Sequence, residues 1–152
     1  MSDFEKKLND LLVGAFNSIL RYEETSIKKE LNSAVTIAET HMIDAVGKQE
    51  DKKISVSTLA SLLNLAVPTV TVAAKKLENK GFVKKVPCDH DGRRTIISLT
   101  DAGKKIEKAH HIFHAEMVRD ISRQFIESEK EQLLKAIAAL MEFFREKAEA
   151  FT

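Results

Sequence analysis

The chain has no tryptophan and a single tyrosine, and aromatics make up only 6% of its 152 residues. Proteins that grip single-stranded nucleic acid stack bases on aromatic rings, so this composition argues against such a binder. Cys88 is the only cysteine. A disulfide framework within the chain is therefore excluded, and the usage fits a reducing compartment. No apolar run approaches the ~18 residues that a spanning helix needs. The opening residues, Met-Ser-Asp-Phe-Glu-Lys-Lys, lead into a charged helical pattern without the apolar centre of a signal peptide. A cytoplasmic protein without membrane contact is expected. Chemical signatures are also missing: there is no Gly-rich phosphate loop, nucleophile elbow, HExxH pair or couple of carboxylates with an evident pocket. An enzyme is not expected, and no catalytic residue is assigned. Excess charge is absent too, since the net value is +1.

What is present is enough for one domain, or one domain with a dimerisation arm. Hydrophobic residues make up 43%, enough to build a core, and charged residues 31%, enough to keep it hydrated. The charge is unevenly placed. Residues 68–94 hold seven basic side chains (Lys75, Lys76, Lys80, Lys84, Lys85, Arg93, Arg94) and three acidic ones (Glu78, Asp89, Asp91), a local +4. A basic face on a near-neutral chain is the electrostatic footprint of a duplex binder, although a solvated surface produces it as well.

Hydrophobic spacing gives the order of elements. Phe4, Leu8, Leu11, Leu12, Phe16, Ile19 and Leu20 recur at steps of three and four, which predicts one long helix over 3–29. A stripe that apolar needs a partner, and a second subunit would supply it. Thr36 and Glu39 form a T-x-x-E capping box opening a helix over 37–46, with Gly47 as its C-cap. Ile54 is read as an isolated strand residue. Ser57 is assigned as the N-cap of a short helix over 57–64. Ala66 and Val67 then connect to a helix over 68–80, with Pro68 in its first turn and Gly81 as its stop. Two β-rich runs, 82–86 and 94–99, flank a polar turn, Asp89-His-Asp-Gly92. Thr100 caps a helix over 101–124, and Ser128-x-x-Glu131 reads as the box opening the last helix, over 128–148. No repeat, low-complexity segment or flexible linker interrupts this order.

Helix, turn, helix and hairpin in residues 56–99 is the plan of a winged helix-turn-helix. The expected fold is mainly α with a small β-hairpin wing. An N-terminal dimerisation helix (1–36), a DNA-binding lobe (37–100) and C-terminal dimerisation helices (101–152) form one continuous domain. The second helix of such a motif enters the major groove near its N-terminus. Val70, Ala73, Ala74 and Leu77 would face the core. Pro68, Thr69, Thr71, Val72, Lys75 and Lys76 would face outward, with Ser57 joining them at the DNA. Threonine can bond phosphate or base edges, Val72 can touch a thymine methyl, and the lysines can neutralise phosphate. Arg, Asn and Gln, the strong bidentate readers, are missing from the first two turns. At the hairpin tip, Arg93 and Arg94 can enter the minor groove, with Asp91 aiming a guanidinium.

Several stretches together resemble the MarR family of winged-helix repressors. They are Leu59-Ala60-x-x-Leu63, Val70-Thr71, Leu77-Glu78-Asn-Lys80-Gly81-Phe82-Val83, Asp91-Gly-Arg93 and Leu99-Thr100-Asp-Ala-Gly103. The resemblance covers nearly the whole chain, and it departs at Gly92, where the family often has Arg. It implies a two-fold dimer built from the first and last helices and bound to a pseudo-palindromic operator, with recognition helices one turn (~34 Å) apart. Thr40-His-Met-Ile-Asp44, Pro68-Thr-Val-Thr71 and Phe113-His-Ala-Glu-Met117 further resemble the members that repress fatty-acid synthesis genes with acyl carrier protein as corepressor. That implies an acyl pocket lined by Phe16, Leu20, His41, Met42, Phe113, His114 and Met117. Plain core packing accounts equally well for each of these residues taken singly.

Other effectors of MarR-type sensors stay open. His110 and His114 stand at i,i+4 on one helix, and His41 lies on a neighbouring one. With Glu24 or Glu39 they offer a zinc set, as in family members that sense zinc. A small phenolic or lipophilic compound is another alternative. An oxidant acting at Cys88, near Lys84, Lys85 and Arg93, is a third, although the family's peroxide sensors carry their cysteine in the first helix. No resident cofactor or metal is assigned.

Overall fold

The structure is a computed structural model that describes residues 1–30, 35–86 and 95–150. Its elements in order are α1 (Asp3–Glu30), α2 (Ile37–Gly47), a 3-10 turn (Glu50–Lys52), β1 (Lys53–Ser55), α3 (Val56–Leu62), α4 (Val67–Asn79), β2 (Val83–Val86), β3 (Ile96–Leu99), α5 (Asp101–Ser122) and α6 (Glu127–Glu149). The chain divides into two units, Met1–Phe113 and His114–Thr152.

Caps decide where the helices begin. Thr36 and Glu39 form the expected capping box: Thr36 Oγ1 accepts the Glu39 N–H at 3.2 Å, and Glu39 accepts the Thr36 N–H at 2.9 Å. The helix they open is buried nearly all round. Thr40 and the run from Met42 to Val46 are inside, and the Thr40 hydroxyl is satisfied by the Thr36 carbonyl at 3.0 Å. Two expected caps move. Ser55, not Ser57, is the N-cap of α3; its hydroxyl oxygen accepts the Thr58 N–H at 3.1 Å, and Ser57 lies inside the helix. α6 begins before Ser128, with Glu129 accepting the Ile126 N–H at 3.0 Å in place of the Ser128/Glu131 box. Ser55 and Ser57 stand within a turn of each other, and the strand that ends at Ser55 sets where α3 begins. Gly47 is the last residue of α2 rather than its cap, which is Lys48.

β3 is the centre of a three-stranded antiparallel sheet of order β1-β3-β2. Ile54 pairs with Ile97, and Val83 with Leu99. Ile54 is thus the middle of a three-residue strand, not an isolated residue, because β3 supplies hydrogen bonds from over forty residues downstream. Ile54, Val83, Ile97 and Leu99 turn one face inward. There they join Ile43, Val46, Leu59, Val70 and Leu77 in a continuous core.

A corner of backbone bonds explains the spacing of Gly81, Phe82, Thr100 and Gly103. Gly81 sits at φ 77°, open to glycine, and ends α4 in a Schellman motif: its N–H bonds the Glu78 carbonyl at 2.9 Å, and the Phe82 N–H bonds that of Leu77 at 2.9 Å. The Thr100 hydroxyl donates to the Gly81 carbonyl at 2.6 Å, and its oxygen accepts the Gly103 N–H at 3.1 Å, so the expected Thr100 cap is formed. Thr100 N–H bonds the Phe82 carbonyl at 3.1 Å. Helix α5 therefore starts against that carbonyl, and only a residue without a Cβ fits at Gly103.

Two helices leave large apolar faces uncovered. On α1 only Glu23 and Ile27 are buried, while Phe4, Leu11 and Phe16 are 62–74% exposed. On α6 none of the residues is buried, and Leu134, Ile137, Met141, Phe143 and Phe144 are each at least 45% exposed. No single helix among the described residues is long and apolar enough to cross a membrane.

Candidate nucleic-acid interface

α3 and α4 turn by 113° across the connection 63–66. A two-helix turn of 90–120° through three or four residues is the helix-turn-helix geometry. The turn is built locally. Asn64 takes φ 52°, a left-handed value that asparagine tolerates. Its N–H bonds the Ser61 carbonyl at 3.2 Å, and the Leu65 N–H reaches back to Ala60 at 2.9 Å, a second Schellman motif. The expected connection at Ala66–Val67 is thus displaced: the reversal is made at Asn64, Ala66 is the N-cap of α4, and Pro68 falls in its first turn as expected.

α4 divides its residues as the sequence predicted. Val70, Ala74 and Leu77 are buried, and Ala73 packs partly against the core. Pro68, Thr69, Thr71, Val72, Lys75 and Lys76 are all exposed, as is Ser57 on α3. Ion pairing sorts the cations on and beside this face. Lys80 is held by Glu39 at 2.8 Å, and Lys85 by Glu78 at 3.3 Å. Lys75, Lys76 and Lys84 have no carboxylate within ion-pair distance among the described residues, so their charge is available to a polyanion. Burial by itself raises the Glu39 pKa. The Lys80 hydrogen bond, the Thr36 N–H and the Lys80 charge outweigh it and leave the carboxyl below its ordinary value. The wing residues Asp91, Arg93 and Arg94, and Cys88 and His90, lie outside the described residues; β2 and β3 place the two stems that lead to them.

Comparison with known proteins follows the same outline. Residues 35–94 match the sequence profile of the MarR family. Streptococcus pneumoniae FabT, solved in complex with DNA, is 30% identical, with 93% of this chain and 98% of that one covered at a TM-score of 0.88. The chain belongs to the MarR family. At lower identity, where only the fold is compared, the Staphylococcus aureus MepR–DNA complex aligns at 20% over 90% of this chain and 97% of that one, TM-score 0.71. Sco3205 of Streptomyces coelicolor, a MarR family transcriptional regulator in complex with DNA, aligns at 15% over 93% and 88%, TM-score 0.75. A Bacillus subtilis protein, the uncharacterized HTH-type transcriptional regulator YhjH, is 28% identical over 104 residues. Those residues are 68% of this chain, and the match spans 58% of that curated relative's length.

Apart from the α3–α4 face, this MarR-family chain gathers a polar cluster from α1, α2 and α5. The buried Glu23 carboxylate receives the Nε2 atoms of His41, at 2.8 Å, and His110, at 2.9 Å. These three donors lie within 4.8 Å of one another. On the far side of the His110 ring, Nδ1 stands 3.5 Å from Asp44, which also holds Lys48 at 2.6 Å. Burial pushes Glu23 up, but the hydrogen bonds and charges of the two histidines hold its pKa below the ordinary value; Lys48, then His110, do the same for the buried Asp44.

The carboxylate at this cluster is therefore neither Glu24 nor Glu39. Glu24 pairs with Lys28 and Glu39 with Lys80. Sequence reasoning missed Glu23, although a signal existed: it stands between Leu20 and Ile27 at stripe spacing, a lone acid on an apolar face. The expected effector residues fall in different places. Met42 belongs to the core, and Phe113 is buried with its ring 5.1 Å from Tyr22. Phe16 and Leu20 are exposed on α1. Leu20 and His41 line a cavity of about 810 Å³ between α1 and α2, while His41 and Met42 line another, of about 490 Å³, that reaches Thr69 and Lys76 on α4. His114 and Met117 belong to the second unit.

Proposed function

We propose that the chain is a DNA-binding transcriptional regulator, a repressor that works in the cytoplasm as a homodimer on a pseudo-palindromic operator. The observation that carries this is the exposed face of α4, where unpaired Lys75 and Lys76 flank Thr69, Thr71 and Val72 on a helix projected by the 113° turn. The uncovered apolar faces of α1 and α6 support the dimer, since exposed patches of this kind mark interaction surfaces. Two copies would set two α4 helices at a fixed spacing. In this reading the protein has no catalytic task. Its targets are fatty-acid biosynthesis genes, and acylated carrier protein is its corepressor. This part rests on the resemblance of residues 40–44, 68–71 and 113–117 to repressors of that kind. Gel shifts on DNA upstream of its own coding region test both levels. A retarded band that strengthens with acylated, but not unacylated, carrier protein is expected. No band overturns the DNA reading, and a band indifferent to acylation overturns the corepressor.

A second effector reading is favoured by the Glu23–His41–His110 cluster. Two imidazoles and a carboxylate within 4.8 Å suit zinc, and Asp44 stands 3.5 Å from the other ring nitrogen of His110. The ion would tie α1 to α2 and α5 and so bias the pose of the reading lobe. Equilibrium dialysis against zinc checks it: one ion per protomer, lost in His41→Ala and Glu23→Gln, is expected, and no retained zinc refutes it.

A further inference from the structure

On α4, what matters beyond its placement is what its outward side chains have left to offer a base pair. Thr71 looks like a hydrogen-bond donor in sequence, but its hydroxyl donates to the Val67 carbonyl at 2.8 Å, one turn back. A threonine hydroxyl has one proton, so a partner meets only its methyl group and an oxygen lone pair. Val72 beside it is 58% exposed and purely apolar. Pro68 has neither a donor nor a charged atom. Lys75 and Lys76 are mobile point charges suited to phosphate, which carries no sequence. The bidentate pairs that distinguish guanine and adenine are therefore unavailable from the first two turns of α4, which hold no Arg, Asn or Gln, and the exposed Thr69 hydroxyl can add only a single hydrogen bond. The remaining feature of a major-groove edge that an apolar surface can recognise is the C5-methyl group of thymine.

Resting on the DNA-binding reading, we infer that α4 reads its operator by the pattern of thymine methyl groups, through the Val72 side chain and the Thr71 methyl. Sites with a thymine at the contacted step in each half are favoured because cytosine and uracil leave those side chains facing a gap. Thr71 is then a shape reader whose hydroxyl is occupied by the Val67 carbonyl. Loss of the oxygen (Thr71→Val) preserves discrimination, whereas loss of the methyl (Thr71→Ser) weakens it.

The test uses the full chain and a duplex selected by it from a random pool. Each thymine in the selected half-site is replaced in turn by deoxyuridine, which removes one methyl and leaves every hydrogen-bonding atom in place. At one or two positions affinity falls about fourfold per methyl removed, the size of one buried methyl group. Val72→Ala, an exposed change that leaves folding intact by circular dichroism, removes that difference at the position Val72 contacts and leaves any position read by the Thr71 methyl unchanged. A selected site whose affinity ignores every thymine-to-uracil exchange overturns this inference while leaving DNA binding intact. Failure to enrich any duplex removes the DNA-binding reading itself, and this inference with it.

Discussion

Gly103→Ala tests the corner that joins the reading lobe to α5. At an ordinary interior helix position, alanine in place of glycine stabilises by roughly 1 kcal/mol through helix propensity. At Gly103 a Cβ would meet the Phe82 carbonyl oxygen roughly 1 Å inside ordinary contact, with the Leu99 side chain at 3.4 Å on another side. The obstructing atom is backbone, so no rotamer change relieves it. It also accepts the Thr100 N–H at 3.1 Å, and Thr100 holds the Gly81 carbonyl at 2.6 Å. Backing α5 away strains those bonds and loosens Leu99 and Ile106 in the core. Overpacking of this kind costs about 1–3 kcal/mol, so the net effect after the propensity gain is a loss of up to about 2 kcal/mol. Urea unfolding at fixed protomer concentration measures it as a lower midpoint with an unchanged slope. Gly47→Ala is the comparison. The three atoms nearest its new methyl all belong to the Glu107 side chain, which can swing aside at the expense of its ion pair with Lys52, so the loss should be smaller. A Gly103→Ala protein as stable as the parent, or more so, would refute the argument from close backbone approach.

Lys75→Ala and Lys76→Ala should each weaken binding to any duplex by a similar factor. In the proposed dimer each change appears twice, so it should lower the slope of log affinity against log salt by about 2; an unchanged slope removes that lysine from the phosphate contacts. Glu39 has a folded-state pKa below its ordinary value. The stability from its Lys80 pair is therefore complete above the usual carboxylate range, roughly pH 4.3, and is lost as pH falls through the folded value. Glu39→Gln should flatten the acid limb of a stability–pH profile, and an identical limb in both proteins contradicts the assignment. Leu134→Asp with Ile137→Asp places two charges on the exposed apolar face of α6, so sedimentation should show monomers; an intact dimer would move the interface elsewhere.

Periodicity alone specified the helices, since burying Val70, Ala74 and Leu77 while exposing Thr69, Thr71 and Val72 is written in their spacing. Gly81 and the Thr36/Glu39 box were legible for the same reason: each is a local signal, satisfied by atoms within one helical turn. Local signals fail where two compete. Ser55 and Ser57 are equivalent as isolated residues, and only the strand ending at Ser55 decides between them. The reversal at Asn64 was hidden because asparagine only tolerates a left-handed backbone and does not demand one.

The sequence by itself determined the winged helix-turn-helix plan, the division of α4 into a core face and an outward face, and the family to which the chain belongs. Tertiary structure decided what depends on distant partners. Ile54 is a strand only because β3 returns beside it. Gly103 is needed only because Phe82 packs there. Glu23 meets histidines 18 and 87 residues away only once α1, α2 and α5 are assembled. Side-chain periodicity records which way a residue faces along its own element. The atom it meets across the core is set by how separate elements pack.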